Sequence, residues 1–357
     1  MSLDAVGSGD VRARTTLRGA RVMRLGPVSL LVRTRALLTT LVLLGLVAVL
    51  AAYALSVGTF RLHVAEVVQI LLGNGGGVGE RIVMNIRLPR VLTGVFAGAA
   101  LGASGAVFQS VSRNALGSPD VIGFTTGAAT GAIAQIVIFG GSAVAVALSA
   151  VVTGLFTAAV VYLLASKGGG TGYRLILIGI GVGSILGALN GLMLVRGDLD
   201  DAISANLWLA GSLNARTWVH VWPVLVGVVV LVPLVAVLSR RLSMIEMGDD
   251  VARQLGVRVE RTRLSAVFLA VLLAALATAA AGPIAFVALA APQLYGRLAR
   301  MSDLAVFGSA SMGALLLIVA DLTSQLLPLG LTLPIGRMTG IIGGIYLIWL
   351  LTRPRSV

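Results

Sequence analysis

Val91 to Val111 is an uncharged run of about twenty residues, long enough to cross a bilayer core as a helix. Such a run leaves few options, because in lipid every backbone N–H and C=O must be satisfied within the protein. Similar apolar runs lie at about 36–57, 90–111, 120–140, 143–165, 174–195, 219–238, 264–281, 283–299, 304–326 and 335–351. With 57% hydrophobic and 11% charged residues, the chain is far from the composition of a soluble multidomain protein. The expectation is an all-α polytopic membrane protein with about ten transmembrane helices. An even number of spans puts both ends on one side.

The net charge of +13 invites a nucleic-acid reading, but the positions of the charges argue against it. Twenty of the 27 Lys and Arg fall in one set of alternate loops. The other seven, Arg61, Arg81, Arg87, Arg90, Arg196, Arg216 and Arg337, fall on the opposite side. Such a bias marks the first side as cytoplasmic and places both termini there, beside anionic lipid. Residues 1–35, with seven arginines, read as a basic, mobile cytoplasmic tail, uncleaved because no small-residue cleavage site follows; 36–357 form the transmembrane domain.

Small residues set the packing. Gly94, Gly98 and Gly102 recur every fourth position in the second span, Gly179, Gly183, Gly187 and Gly191 in the fifth, and Gly336, Gly340 and Gly344 in the tenth. Each set makes one helix face on which another backbone can approach closely. The outer segments are 58–89, with a flexible turn at 73–77, 196–218 and 327–334. Within 196–218, residues 203–214 read as a short interfacial helix anchored by Trp208.

Enzymatic motifs are missing. Lys167 to Gly172 has the composition of a phosphate loop but not its order, His63 and His220 have no companion metal ligands, and there is no cysteine. The polar island 239–263 is the informative loop. Ser243 to Glu246 has capping-box spacing, Met244, Met247, Val251 and Leu255 recur at helical spacing, and Gly248 and Gly256 are plausible stops. Two short amphipathic helices joined at a glycine suit a groove on a partner.

From about Arg87 to Arg353 the chain resembles the permeases of bacterial ATP-driven importers for iron chelates and vitamin B12 (FecCD type). The resemblance rests on several stretches. Arg87-Leu88-Pro89-Arg90 precedes a Gly/Ala-rich helix that carries Ser104-Gly105-Ala106 and Gln109. Asn114-Ala115-Leu116-Gly117-Ser118-Pro119 follows, with Ala115 in the usual proline position. Met247 to Gly256 matches the family's loop signature with Met247 in a leucine position. Gly282 to Gln293 matches the last, with Gln293 where many members carry histidine.

The resemblance implies a type II importer permease fold like that of the vitamin B12 importer, with spans 2–5 and 7–10 as an inverted repeat, in the bacterial plasma membrane. It implies that Glu246, Gly248, Ala252, Arg253, Leu255 and Gly256 couple to a separate ABC ATPase dimer, which holds ATP and Mg. Asn114 and Leu116 would narrow the cytoplasmic exit. The glycine faces of spans 5 and 10 would meet a second permease, a paralogue by preference, around a central path. Arg87 and Arg90 would dock an extracytoplasmic siderophore-binding protein. A third docking arginine of some members is Gln325 here, with Arg337 nearby.

The Gly117 to Phe124 wording is similar to the ferric-siderophore branch, so the expected cargo is a ferric siderophore, with iron only inside the chelate; vitamin B12 or haem fits the same features. Gln109, Thr125, Thr126, Gln135 and Asn190 are the candidate polar lining. An ion-coupled transporter would need acids near mid-membrane, and Asp321 is the one clear acid within a span, better suited to a structural pair.

Overall fold

The computed structural model describes residues 20–25, 28–58, 60–166, 171–301, 303–327 and 333–352. The described residues open with an antiparallel strand pair, β1 (Ala20–Leu25) and β2 (Val28–Arg33). This part of the tail is therefore paired strand, and the remainder of 1–35 up to Ala20 lies outside the described residues. Among the described residues fourteen α-helices follow: α1 (Thr34–Ser56), α2 (Val64–Leu71), α3 (Gly77–Ile82), α4 (Leu88–Ser112), α5 (Phe124–Val137), α6 (Ala143–Ser166), α7 (Thr171–Arg196), α8 (Leu199–Leu209), α9 (Trp218–Glu246), α10 (Asp249–Gln254), α11 (Val259–Ala281), α12 (Val287–Ala299), α13 (Val306–Leu326) and α14 (Ile335–Thr352).

The ten expected runs correspond to α1, α4, α5, α6, α7, α9, α11, α12, α13 and α14. Seven described helical segments are long and apolar enough to cross a membrane. Helices α5 and α12 are shorter, with 14 and 13 residues, and non-α backbone precedes each. A 3-10 turn at 119–122 precedes α5. Before α12, residues 282–286 are non-helical, so the eighth run begins as helix at Val287 and not at Pro283. Gly282 (φ +77) and Phe286 (φ +69) bracket that break, and Pro292 sits inside α12 without ending it.

Three further local expectations are corrected. Helix is already present at α2 and α3 within 58–89, and from Gly77 it continues into α4 through a π turn at 83–87. That widened turn lies just ahead of Pro89, whose ring displaces the carbonyl four residues back and which brings no N–H. The interfacial helix runs over α8, not 203–214. Asp200 and Asp201 favour its first turn, and Gly211 (φ +66) ends the path against the Pro283 carbonyl. Ser243 to Glu246 start no helix, since α9 continues through them and stops only before Gly248.

Helix α4 is the central element, packed against α13, α11, α9 and α12 and buried over most of its length. Its small residues explain this. A Cβ on Gly98 would strike the Gly313 carbonyl, one on Gly102 the Ser309 carbonyl, and one on Gly105 the Ala288 carbonyl. The Ser104 hydroxyl donates to the Ala270 carbonyl of α11 at 2.7 Å. Helices α1 and α7 are peripheral and mostly exposed.

The bundle has two ends. One gathers the start of α1, the ends of α4, α9 and α12, α10, and the starts of α11 and α13: Arg33 pairs with Asp303 at 2.6 Å, and Arg35 donates to the Leu298 carbonyl at 3.1 Å. We call it the basic end. At the opposite end lie the end of α1, the start of α4 and the end of α13.

Gly102→Ala is expected to cost about 1–3 kcal/mol by forcing α4 off α13, whereas Gly187→Ala, with open space around it, should raise stability by about 0.5–1 kcal/mol through helix propensity. Thermal unfolding of both variants in detergent checks the contrast; equal midpoints would show that α4 does not need the close approach.

Candidate functional site

At the opposite end a cavity of about 1030 Å³ is lined by Arg61, His63, Arg87, Arg90 and Gln325, with Tyr53 and Phe60 among its apolar walls. The two arginines of the Leu88-Pro89 motif behave differently. Arg87 is buried, and its guanidinium donates to the carbonyls of Leu55, at 2.7 Å, and Phe60. It ties the end of α1 to the π turn. Arg90 pairs with Asp321 at 2.7 Å, with Asp321 almost fully buried on α13. Gln325, one turn on, donates to the other Asp321 oxygen at 2.8 Å. Asp321 is thus a structural pair, and Gln325 completes it. Arg337 is exposed at the start of α14.

At the basic end, α4 stops at Arg113, which adopts the left-handed conformation (φ +49) and turns the chain into 114–118. The Asn114 side-chain oxygen accepts the Leu116 N–H at 2.9 Å, and Leu116 is half exposed. Asn114 and Leu116 share a groove of about 440 Å³ with Thr126, Gly179 and Gly183. The expected gate residues and part of the expected path helix therefore meet on one surface of the protomer. Gln293 on α12 donates to the Ala115 carbonyl at 2.6 Å and braces the turn from the other side.

The glycine faces divide. Gly179 is filled from inside, since a Cβ there would strike the Val121 carbonyl, and Gly336 abuts the carbonyls of Ala210 and Pro283. Gly183 only brushes Thr126, while Gly187, Gly191, Gly340 and Gly344 have nothing within 4 Å. The open glycines sit among exposed Ile185, Leu189 and Leu192 on α7 and Ile341 and Ile345 on α14. Of the candidate lining, Thr126 reaches the groove and Asn190 donates weakly to its carbonyl at 3.4 Å. Gln109, Gln135 and Thr125 are engaged internally, with the Leu289 carbonyl, Ser149 and Asp120.

The island 239–263 presents Met247, Val251 and Leu255 as an exposed apolar ridge, flanked by exposed Arg253 and Gly256. Ala252 is fully buried beneath it. Gly248 (φ +127) and Gly256 (φ +80) bound α10, as their spacing predicts. Arg253 pairs with Asp250 at 2.8 Å on the surface, and Glu246 lines a separate cavity of about 340 Å³ beside Arg113 and Asn114. Asp249, at the start of α10, is approached by Arg263, at 3.0 Å, and by Arg113. Burial pushes its carboxyl up, but Arg263 and Arg113 outweigh this and hold it below the usual carboxylate range. The lowered value means that stability from these pairs is present above the unfolded pKa and is lost only as pH falls through the folded one.

Among the described residues there is no group of three or more His, Asp or Glu placed to hold a metal. His63 is exposed, and His220 closes the N-terminal capping box of α9 with Thr217.

Residues 46–353 match the model of the FecCD transport family. This chain belongs to that family. Its relatives include the ferric enterobactin transport system permease protein FepG of Escherichia coli K12, 45% identical over 320 residues, covering 90% of this chain and 97% of FepG. The iron(3+)-hydroxamate import system permease protein FhuG of Bacillus subtilis 168 is 32% identical, covering 86% of this chain and 94% of FhuG. A solved chain described as a metal-chelate type ABC transporter in an inward-facing conformation superposes with a TM-score of 0.78 at 28% identity, covering 87% of this chain and 98% of that one. The chain is thus a multi-pass permease of the ABC-importer kind.

Reading this FecCD chain by sequence missed three things: the anchoring of Arg87, the partner of Asp321, and the Arg113–Asp249–Arg263 cluster. No local signal carries them, since each joins residues far apart in the chain. Asp321→Ala should strand the Arg90 charge and lower stability by on the order of 3 kcal/mol. Replacing the pair together, Arg90→Met with Asp321→Leu, should recover most of it. Unfolding midpoints of the single and double variants decide, and equal loss in both would remove the pair from the stability of this end.

Proposed function

We propose that the chain is the permease subunit through which a ferric siderophore crosses the bacterial plasma membrane, driven by ATP hydrolysis on a separate ABC ATPase dimer. The observation that carries this reading is the groove in which Asn114 and Leu116 lie against Thr126 of α5 and Gly179 and Gly183 of α7. It is half of a path, and the open glycines and exposed aliphatics of α7 and α14 supply a surface for a second permease to close it. A paralogue in that place forms the heteromeric pair. The groove is mostly apolar, with Asn114, Asp120, Thr126 and Ser184 as its polar side chains, a sparse set that suits a bulky chelate in transit.

The basic end is cytoplasmic in this reading, in line with the excess of arginine there. The ridge of Met247, Val251 and Leu255 seats in the ATPase, with Glu246, Gly248, Ala252, Arg253 and Gly256 shaping the contact. The siderophore-binding protein docks at the opposite end, over the cavity holding Arg61, Arg87 and Arg90. Its acidic groups compete with Asp321 for Arg90, a charge-assisted contact suited to arginine. Arg87 contributes by fixing the cavity wall, since two of its guanidinium nitrogens already donate to the Leu55 and Phe60 carbonyls.

The test is purification of the tagged chain in mild detergent with mass spectrometry of its companions, followed by uptake of ⁵⁵Fe-enterobactin into proteoliposomes holding the recovered complex. An ATPase and a second permease are expected to copurify, and uptake should require ATP and no ion gradient. Isolation of the chain alone, or gradient-driven uptake, would refute the assignment. Leu255→Asp should reduce ATPase recovery at least tenfold while leaving the permease folded, as judged by its elution profile; undiminished recovery would move the ATPase contact elsewhere.

A further inference from the structure

We propose that Arg113 is the positioning residue through which displacement of α10 reaches the cytoplasmic gate, with Asp249 as the hub of the link. This rests on the reading of 239–263 as the ATPase contact and of Asn114 and Leu116 as the gate.

Arg113 lies one residue before Asn114, yet its side chain reaches the island more than 130 residues later in the chain. One guanidinium nitrogen donates both to the Ile245 carbonyl, at 2.6 Å, and to the Asp249 carboxylate. The end of α9 and the start of α10 are therefore pinned to the end of α4 by a single group. The same carboxylate takes two hydrogen bonds from Arg263, at 3.0 and 3.1 Å, which fastens it to the second turn of α11. Arg263 is 2% exposed. A charge that deep is costly to leave unpaired, so the carboxylate stays where it is needed.

The placement of the anchors matters as much as their strength. Arg113 is held by the island and the Ala115 carbonyl by Gln293, while the intervening Asn114 and the following Leu116 face the groove. Held residues alternate with gate residues in one tight turn, so a shift of either anchor must redirect both gate side chains. On the other side, α10 is six residues long between two glycines in positive-φ conformations, Gly248 and Gly256. A push on its exposed ridge turns it at those glycines. Asp249 lies beside the first of them, which makes its bonds the direct route from the ridge to α4. The fork of an arginine suits this task because it holds two acceptors in fixed relation.

The chain has no cysteine, so spin labels can be placed at will. In the full importer complex in nanodiscs, labels are introduced pairwise at Ala115, Gln254 and the exposed Leu72, and distances are measured with and without ATP-Mg. In the otherwise unaltered complex, ATP should shift both the 254–72 and 115–72 distances and leave 115–254 narrow. In Arg113→Met the 254–72 shift should persist, the 115–72 shift should vanish, and 115–254 should broaden. Arg113→Lys should restore part of the gate response, which a purely structural role would not predict. Asp249→Asn, which keeps the Ile245 contact, should reproduce the loss and serves where Arg113→Met fails to fold. A gate shift of full size in Arg113→Met or Asp249→Asn, with α10 still moving, overturns the inference alone. No ATP-driven movement of Gln254 in the unaltered complex overturns the coupling reading beneath it.

Discussion

The fold depends on one close approach, that of α4 to α13. Where the Gly98 and Gly102 positions of α4 meet Ser309 and Gly313 of α13, no room remains for a Cβ on either glycine. In lipid the hydrophobic effect gives helices no reason to associate, so contact distance and polar pairing must do so. Backbone contact along these positions lets α4 stand at the centre of the bundle with α9, α11 and α12 around it. The ion pair of Arg90 and Asp321 closes the same two helices at one end, and the salt-bridged cluster around Asp249 ties α4 to its neighbours at the other.

A rigid central helix with charged fastenings at both ends has a functional consequence. A signal delivered to the basic end meets a helix terminus already bonded to the island, and a partner docking at the opposite end meets an arginine already paired on α13. Both ends of α4 are thus wired to the surfaces where partners are proposed to bind, while its interior carries no charge. The groove beside α7 joins two kinds of element: the long helix α7 forms one wall, and the turn after α4, a 3-10 turn and the start of α5 form the other.

The glycine faces show how a sequence pattern can hold two meanings. Gly179 and Gly336 satisfy contacts inside the protomer, whereas Gly187, Gly191, Gly340 and Gly344, in register with them, face open space. Spacing at i, i+4 identifies the face but not which part of it the protomer's own backbone covers. The same holds for arginine: Arg87 and Arg90 look equivalent in the motif, yet one is sealed by carbonyls and the other shares a carboxylate.

By itself the sequence determined the class, the spans, the two-sided charge distribution, the stops at Gly248 and Gly256 and the family, because hydropathy, glycine conformation and motif spacing are local properties of a chain. It also located the polar island 239–263 and the turn at 114–118. Tertiary structure alone decided where α8 ends and α12 begins, since those limits follow from the contact of Gly211 with Pro283 and from the break at Gly282 to Phe286. It alone brought Arg113 to Asp249, Arg90 to Asp321 and Gln293 to the Ala115 carbonyl. Partners separated by more than a hundred residues leave no periodicity to read; what selects them is the geometry of packed helices and the cost of an unpaired charge beneath the surface.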